Sequence, residues 1–193
     1  MLFEGFNDHK NLVNAHAFLS PSGYHWINYD PEKLERTFLK SQAVQRGTEL
    51  HALACNCIRL GVGLPEVDQT LNLYVNDAIS FGMIPEQVLF YSKNCFGTAD
   101  TISFDPQHGF LRIHDLKTGE TPASMHQLEI YYALFCLEYG FSPIDISGEM
   151  RIYQNNEVLF CEPDPSVEKN IMEKIVDFDR RIELLRKGDM NVH

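Results

Sequence analysis

The stretch that decides the fold runs from Gly97 to Tyr131 and reads GTADTISFDPQHGFLRIHDLKTGETPASMHQLEIY. Residues 97–104 and 110–117 are rich in β-branched and apolar residues and flank Asp-Pro-Gln-His-Gly, a turn-forming segment. This pattern predicts a β-hairpin. A helix is predicted after it, over residues 124–139, because Gly140 provides a typical C-terminal stop.

Working outward, helical periodicity and capping residues predict helices on both sides of this hairpin. Upstream helices are expected over 31–43, 46–60 and 65–80, the last with Val67, Leu71, Tyr74 and Ala78 at helical spacing. A final helix is expected over 165–186, with an inner stripe of Val167, Ile171, Ile175, Phe178 and Ile182. Further strands are predicted at 87–91, 145–153 and 157–162. This element order predicts an α/β (α+β) fold with a central mixed sheet flanked by helices.

Length and charge narrow the class of protein. A chain of 193 residues suits a single domain, 1–193, which we divide into an N-terminal elaboration (1–45), a core (46–163) and a C-terminal helix (164–193). No apolar run is long enough to span a bilayer, and residues 1–10 lack a secretion signal. We therefore expect no membrane partner, and a location in the cytoplasm of the producing cell, or of a host cell if a phage encodes the chain. The net charge of −11 argues against broad electrostatic clamping of nucleic acid.

Strand parity singles out two carboxylates in the hairpin. Asp100 shares its parity with Ile102 and Phe104, and Asp115 continues the row of Leu111 and Ile113. A carboxylate on a buried face costs several kcal/mol unless it is compensated, on the order of that for any unpaired buried charge. A divalent cation is one form of compensation. The alternatives are that both acids lie in solvent beyond the sheet, or that one of them pairs with Lys117.

These residue types suit metal-assisted hydrolysis of a phosphodiester. Carboxylates hold Mg²⁺ or Mn²⁺, and a lysine beside them orients a water and stabilises developing charge. The carbonyl of Leu116 is a further candidate ligand, since it lies between Asp115 and Lys117. His51, at the edge of the apolar face of an upstream helix, could complete the metal site, because imidazole is a common metal ligand.

The motifs, taken together, resemble the PD-(D/E)XK nuclease superfamily, in particular its branch of RecB-type nuclease domains, Cas4-like proteins and phage exonucleases. The resemblance covers about half of the chain, and it lies in the order and spacing of four motifs. These are Gly47-Thr48-Glu49-Leu50-His51, Gly97-Thr98-Ala99-Asp100, Asp115-Leu116-Lys117-Thr118-Gly119 and Gln127-Leu128 through Tyr131.

The resemblance implies a restriction-endonuclease-like core and a DNA-cleaving enzyme, expected to be an exonuclease that uses Mg²⁺ or Mn²⁺. It implies that His51, Asp100, Asp115 and the Leu116 carbonyl bind the metal, and that Lys117 is the catalytic lysine. Gln127 and Tyr131 would contact the substrate or position Lys117. A simpler interpretation of Tyr131 is that it belongs to the core. Glu120 is interpreted as a solvated acid near the site.

Two departures from the family bear on cofactors and partners. Some relatives hold an iron–sulfur cluster through clustered C-terminal cysteines, but here Cys161 is the sole cysteine after residue 139, so no cluster is expected. The chain also lacks a phosphate loop of the Walker type, so coupling to a helicase or recombination protein would need a separate partner.

DNA is the expected partner, with its strandedness left open. Basic residues concentrate near the N-terminus, where Lys33, Arg36 and Lys40 fall at helical spacing, close to an aromatic segment at residues 24–26. We expect these residues to contact DNA, although such a stripe is usually just a solvated helix face. Two other functions remain open. One is a non-catalytic interaction protein that keeps the nuclease fold, and the other is an RNA-processing nuclease.

Overall fold

A computed structural model describes Lys10 and residues 17–119 and 121–189. It divides into two compact units at Arg46–Gly47. In the first unit a 3-10 segment, Pro21–Asn28, precedes helix α1, Pro31–Leu60, which continues into the second unit. Asp30 caps α1 through its side chain, which accepts a hydrogen bond from the Lys33 amide at 2.7 Å, as its position before Pro31 predicts.

The second unit contains one five-stranded sheet and three further helices. In chain order the elements after α1 are α2 (Thr70–Ser80), β1 (Ile84–Ser92), β2 (Cys95–Asp105), β3 (Phe110–Leu116), α3 (His126–Tyr139), β4 (Ser147–Gln154), β5 (Glu157–Cys161) and α4 (Pro165–Asp189). The strand order is β1-β2-β3-β4-β5. All neighbouring pairs are antiparallel except β3–β4, which is parallel and is connected through α3. The predicted mixed sheet with flanking helices is confirmed.

Two hydrophobic clusters cover the sheet. One joins the sheet to α3 and contains Leu111, Ile113, Leu128 and Tyr132 among its buried residues. The other joins α1 and α2 to the sheet through residues such as Leu116 and Tyr153. Helices on both faces explain why β3 and β4 carry few exposed residues. Among the described residues, no helix has the length and apolar character needed to cross a membrane.

Two predicted helix starts are wrong. The chain from 31 to 60 is one helix, not two, because no proline or capping residue interrupts it and Gly47 is accommodated inside. Helix α2 starts at Thr70, not at Pro65. The preceding turn is stabilised by side chains of α2, since Asn72 donates to the Pro65 carbonyl and Asn76 bonds to both backbone groups of Leu64.

The predicted inner stripe of α4 is wrong in part. Ile175 packs against the core, but Phe178 is 58% exposed and Val167 is 40% exposed, whereas Glu168 is fully buried. Polar anchors set this rotation of the helix. Asp179 accepts hydrogen bonds from Ser92 and Asn94 at the β1–β2 turn, and Asn94 also donates to a second α4 carboxylate, that of Glu183.

Glu168 is expected to make stability depend on pH. Neither of its carboxylate oxygens has a hydrogen-bond partner within the described residues, and burial, with Glu129 and Asp164 nearby, raises its pKa to about 8. The folded chain therefore binds a proton that the unfolded chain releases near the ordinary glutamate pKa of 4.5. The free energy of unfolding should therefore fall as the pH rises from about 4.5 to about 8. Above the folded pKa this loss of stability should be complete and should not change further with pH.

Glu168→Gln removes this titration. At pH 8.5 or above we expect the variant to be more stable than the parent by about 2–4 kcal/mol, and near pH 4 to be within about 1 kcal/mol of it. Chemical denaturation at both pH values measures the difference. Glu173→Gln, an exposed position on the same helix, is the control and should show no such pH-dependent gain. Equal stability of parent and Glu168→Gln at high pH would contradict the prediction.

Candidate active site

The candidate site lies where β2 and β3 separate. The β2–β3 ladder ends at the pair Thr101–His114, while β3 remains paired with β4 as far as Leu116–Tyr153. Asp100 and Asp115 are the next residues beyond the last β2–β3 pair. The Leu116 amide, which has no ladder partner on β2, instead donates to Asp100 Oδ2 at 2.9 Å. We call this point of separation the β2–β3 fork. It brings the two acids together on neighbouring strands.

Asp115 is a buried carboxylate paired with Lys117. The residue is 2% exposed, and Lys117 Nζ lies 3.2 Å from Oδ1 and 2.9 Å from Oδ2. The shorter contact is an ion pair without hydrogen-bond geometry, so Oδ2 lacks a hydrogen-bond donor among the described residues. Burial raises the Asp115 pKa to about 6, with a further contribution from Asp100 and an opposing one from Lys117. Of the alternatives open from the sequence, the pairing with Lys117 is therefore observed.

His51 reaches the same fork from α1. Its Nδ1 lies 3.5 Å from Asp100 Oδ2, and its side chain is about one-third exposed, at 32%. Gly47, one turn earlier, explains how the helix approaches so closely, because a Cβ atom there would lie 2.7 Å from Thr118 Oγ1. The first and third sequence motifs therefore meet in space, at the segment that follows Lys117.

Helix α3 holds Lys117 from the opposite side. Gln127 Oε1 accepts a hydrogen bond from Lys117 Nζ at 2.8 Å, and Gln127 Nε2 donates to Tyr131 Oη at 3.4 Å. Tyr131 in turn donates to the Thr98 carbonyl at 2.6 Å. This chain of contacts crosses from α3 to β2, so Gln127 and Tyr131 position Lys117 relative to the strand that carries Asp100. Burial raises the pKa of Tyr131, which stays a neutral donor at physiological pH.

Of the predicted site residues, His51, Asp100, Asp115, Lys117, Gln127 and Tyr131 lie in one connected set of contacts. The Leu116 amide belongs to this set, while the role of its carbonyl stays a prediction. Glu120 lies outside the described residues. The predicted DNA-contacting residues belong to the first unit, where Lys33 stacks over Tyr29 at 4.5 Å and Arg36 lies 3.9 Å from Glu32.

The donor set at the fork suits a hard divalent cation. It consists of carboxylate oxygens and one imidazole nitrogen, with an unsatisfied buried oxygen on Asp115. In this arrangement the described residues contain no group of three or more His, Cys, Asp or Glu side chains already disposed to hold a metal. In this arrangement the Lys117 ammonium group neutralises Asp115.

The motifs did not reveal the support behind the site. Tyr74 of α2 is 2% exposed and lies near Thr101, Asp100 and Asp115. Burial raises the pKa of its phenol, and the charges of the two acids add to this rise. The Tyr153 carbonyl accepts from the Lys117 amide at 2.9 Å. Helical spacing placed Tyr74 on an inner face, but its distance of 26 or more residues from both acids in sequence concealed the contact.

A partly buried polar network continues from Tyr153 away from the fork. The Tyr153 hydroxyl donates to Asp77 Oδ2 at 2.6 Å, and Arg151 bridges Asp77 and Glu149 at 3.0 and 2.9 Å. His114, directly before Asp115 and fully buried, lies beside this network, and burial lowers its pKa to about 4. His114 Nδ1 lies 3.3 Å from the Tyr153 hydroxyl, so the network also links β4 to β3, the strand that carries Asp115. Glu149 and Arg151, which lie at alternate positions of β4, are the sequence signal from which this network could have been predicted.

Comparison of the chain with known protein families, with curated proteins and with solved structures gives no match.

Proposed function

We propose that this protein is a metal-dependent nuclease that hydrolyses DNA phosphodiester bonds, and that it acts as an exonuclease. The observation that carries the proposal is the convergence of four motifs, distant in sequence, on the β2–β3 fork. His51, Asp100 and Asp115 meet there beside Lys117, which is held by α3. Such a set of carboxylates, imidazole and amine is the chemistry that phosphodiester hydrolysis requires.

Each residue has a defined part in the proposed reaction. Asp100, Asp115 and His51 would hold Mg²⁺ or Mn²⁺, which would supply charge neutralisation at the phosphate and a more acidic water. Lys117 orients that water and stabilises the negative charge that develops on the phosphate oxygens, which explains its placement next to Asp115. Gln127 accepts a hydrogen bond from the Lys117 ammonium at 2.8 Å. This bond would keep the amine at the fork when the Asp115 carboxylate binds the cation instead of Lys117.

One observation favours a second candidate, a non-catalytic interaction protein with the nuclease fold. The Lys117–Asp115 ion pair already compensates the buried carboxylate. Such a pair suffices for folding, and the net charge of −11 fits a protein that does not grip DNA strongly. The two candidates differ in whether Mn²⁺ binds and whether DNA is cut.

Incubating the purified protein with linear and covalently closed circular DNA separates the candidates. Single- and double-stranded forms are each tested with Mn²⁺, Mg²⁺ or EDTA, and Lys117→Ala protein serves as the inactive comparison. Metal-dependent loss of linear DNA alone supports an exonuclease, and cutting of circles as well indicates an endonuclease. Absence of cleavage by the folded protein would favour the interaction protein. An RNA substrate of the same lengths tests the RNA-processing alternative.

Gly97→Ala is expected to lower cleavage without unfolding the protein. A Cβ atom at Gly97 would lie 2.9 Å from Tyr131 Cε1, so the tyrosine ring must shift and loses its bond to the Thr98 carbonyl. Because Tyr131 supports Gln127 and hence Lys117, we expect a loss between tenfold and about a hundredfold in kcat. Gly63→Ala is the matched control, since a Cβ there makes an ordinary 3.5 Å contact. Wild-type kcat in Gly97→Ala would show that this support is dispensable.

A further inference from the structure

The β1–β2 hairpin exposes an aromatic pair on one face. Phe90 and Phe96 are directly opposite each other in the strand register, and their exposed fractions are 47% and 61%. Their ring centroids lie 6.2 Å apart at an interplanar angle of 32°. The neighbouring cross-strand pair, Val88 and Thr98, is also exposed. We call the surface formed by these four residues the aromatic hairpin face.

Contacts on the other side of the β1–β2 hairpin anchor it and leave the aromatic hairpin face exposed to solvent. On its other face Leu89 is buried in the core shared with α3, and Gly97 packs against Tyr131. Phe90 lies on β1, an edge strand of the sheet, and its backbone amide donates to the Glu138 carboxylate of α3 at 2.8 Å. The turn is bonded to α4 through Asn94. Since folding uses the opposite face, the edge and the turn for anchoring, the exposed rings contribute little to the core.

The aromatic hairpin face is continuous with the candidate site. Phe96, Thr98 and Asp100 follow one another at alternate positions of β2. Asp100 lies four positions after Phe96 along the strand, a distance of roughly 13 Å. A few nucleotides of extended single strand span that distance, within the range of sites seen in single-strand binding proteins. Thr98, between them, is tied to the site through its carbonyl bond with Tyr131.

The net charge of the chain and the chemistry of aromatic rings indicate which kind of ligand would bind this face. The chain carries 16 Lys and Arg against 27 Asp and Glu, so attraction of phosphates over a broad surface cannot supply the binding energy. Stacking of bases on aromatic rings needs no net positive charge and accepts any base. Duplex DNA keeps its bases stacked internally, whereas an unpaired strand presents them to a flat ring.

We propose that the Phe90–Phe96 pair is a stacking platform for the bases of single-stranded nucleic acid, next to the cleavage site. This inference rests on the proposed nuclease function and specifies its substrate as an unpaired strand or a frayed end. The platform orients the strand along β2, so that the backbone a few nucleotides away reaches the β2–β3 fork. It predicts a preference for single strands over blunt duplexes of the same length.

Fluorescence anisotropy tests the platform independently of catalysis. The probe is a 5′-labelled oligodeoxythymidylate of about 20 nucleotides in EDTA, compared with a blunt duplex of equal length. Phe90→Ser combined with Phe96→Ser should raise the Kd for the single strand at least about tenfold. Phe178→Ser removes an equally exposed ring, 58% exposed on α4, and should change the Kd less than about twofold. Thermal melting checks that both variants are folded.

The outcomes separate failure of the inference from failure of the proposed function. If the parent cleaves DNA with Mn²⁺ while the double variant binds and cleaves single strands like the parent, the platform is wrong and the nuclease stands. If the parent neither binds nor cleaves any DNA, both proposals fail. Sedimentation provides a further check. A dimer that the double variant disrupts, with oligonucleotide binding unchanged, would assign this face to a second copy of the chain and overturn the platform.

Discussion

Asp115→Asn is expected to reduce DNA cleavage by more than about a thousandfold and to abolish stabilisation of the protein by Mn²⁺. The carboxylate is buried at the fork beside Asp100, and its Oδ2 atom lacks a hydrogen-bond donor among the described residues. An amide of the same shape fills the same space but removes the charge and one metal-binding oxygen. Cleavage rates and thermal melting in Mn²⁺ and in EDTA measure the two effects.

The same variant should melt in EDTA at or above the temperature of the parent protein. Burial and the charge of Asp100 both disfavour the ionised form of Asp115, as its raised pKa reflects, so neutralising it removes that cost. Asp145→Asn, at an exposed position, is the control and should retain cleavage and the response to Mn²⁺. An Asp115→Asn protein that still cleaves, or that Mn²⁺ still stabilises as much as the parent, would remove Asp115 from the proposed site.

Lys117→Ala is expected to lower kcat by a factor of about 10²–10⁴ while Mn²⁺ binding is retained. Its ammonium group contacts Asp115 at 2.9 Å and Gln127 at 2.8 Å. In the proposed reaction it orients a water and is not a metal ligand. Removing it leaves the carboxylate free for the cation, and Mn²⁺ affinity should therefore be equal or higher. Single-turnover cleavage and Mn²⁺ titration provide the measurements.

Lys169→Ala, an exposed lysine on α4, is the matched control, because it removes the same charge elsewhere in the second unit. It should leave both kcat and Mn²⁺ affinity near parental values. Equal cleavage by Lys117→Ala and the parent would show that the lysine only compensates Asp115. Loss of Mn²⁺ binding in Lys117→Ala would instead indicate that the ion pair is needed to keep the fork assembled.

Local patterns were sufficient where a structural feature depends on neighbouring residues. Parity placed Asp115 in the row of Leu111 and Ile113, and all three residues are buried, as are His114 and Leu116 of the opposite row. The strands predicted at 145–153 and 157–162 are joined by Asn155–Asn156, and both residues adopt positive φ angles of 53° and 62° in the β4–β5 turn. Gly140 ends α3 with φ of 74°, as predicted from its type and position.

Patterns failed where distant contacts override them. The apolar stripe of α4 predicted that Phe178 would face inward, but hydrogen bonds from the β1–β2 turn to Asp179 and Glu183 turn the acidic side of the helix toward the sheet. Periodicity records which residues prefer burial and contains no information about a polar partner 85 or more residues away in sequence. The same limit applies to Glu168, a buried acid at a position whose pattern is typical of a helix surface.

The sequence by itself determined the element types, the mixed sheet and the identity of the residues that meet at the fork, because each follows from local propensity, alternation or motif spacing. Only the tertiary structure decided which hydrogen bonds those residues make with one another. The end of the β2–β3 ladder at Thr101–His114 frees the Leu116 amide for Asp100, and α3 delivers Gln127 to Lys117. These contacts join residues 10 to 16 positions apart in sequence, and their geometry arises only when the two faces of the sheet are packed.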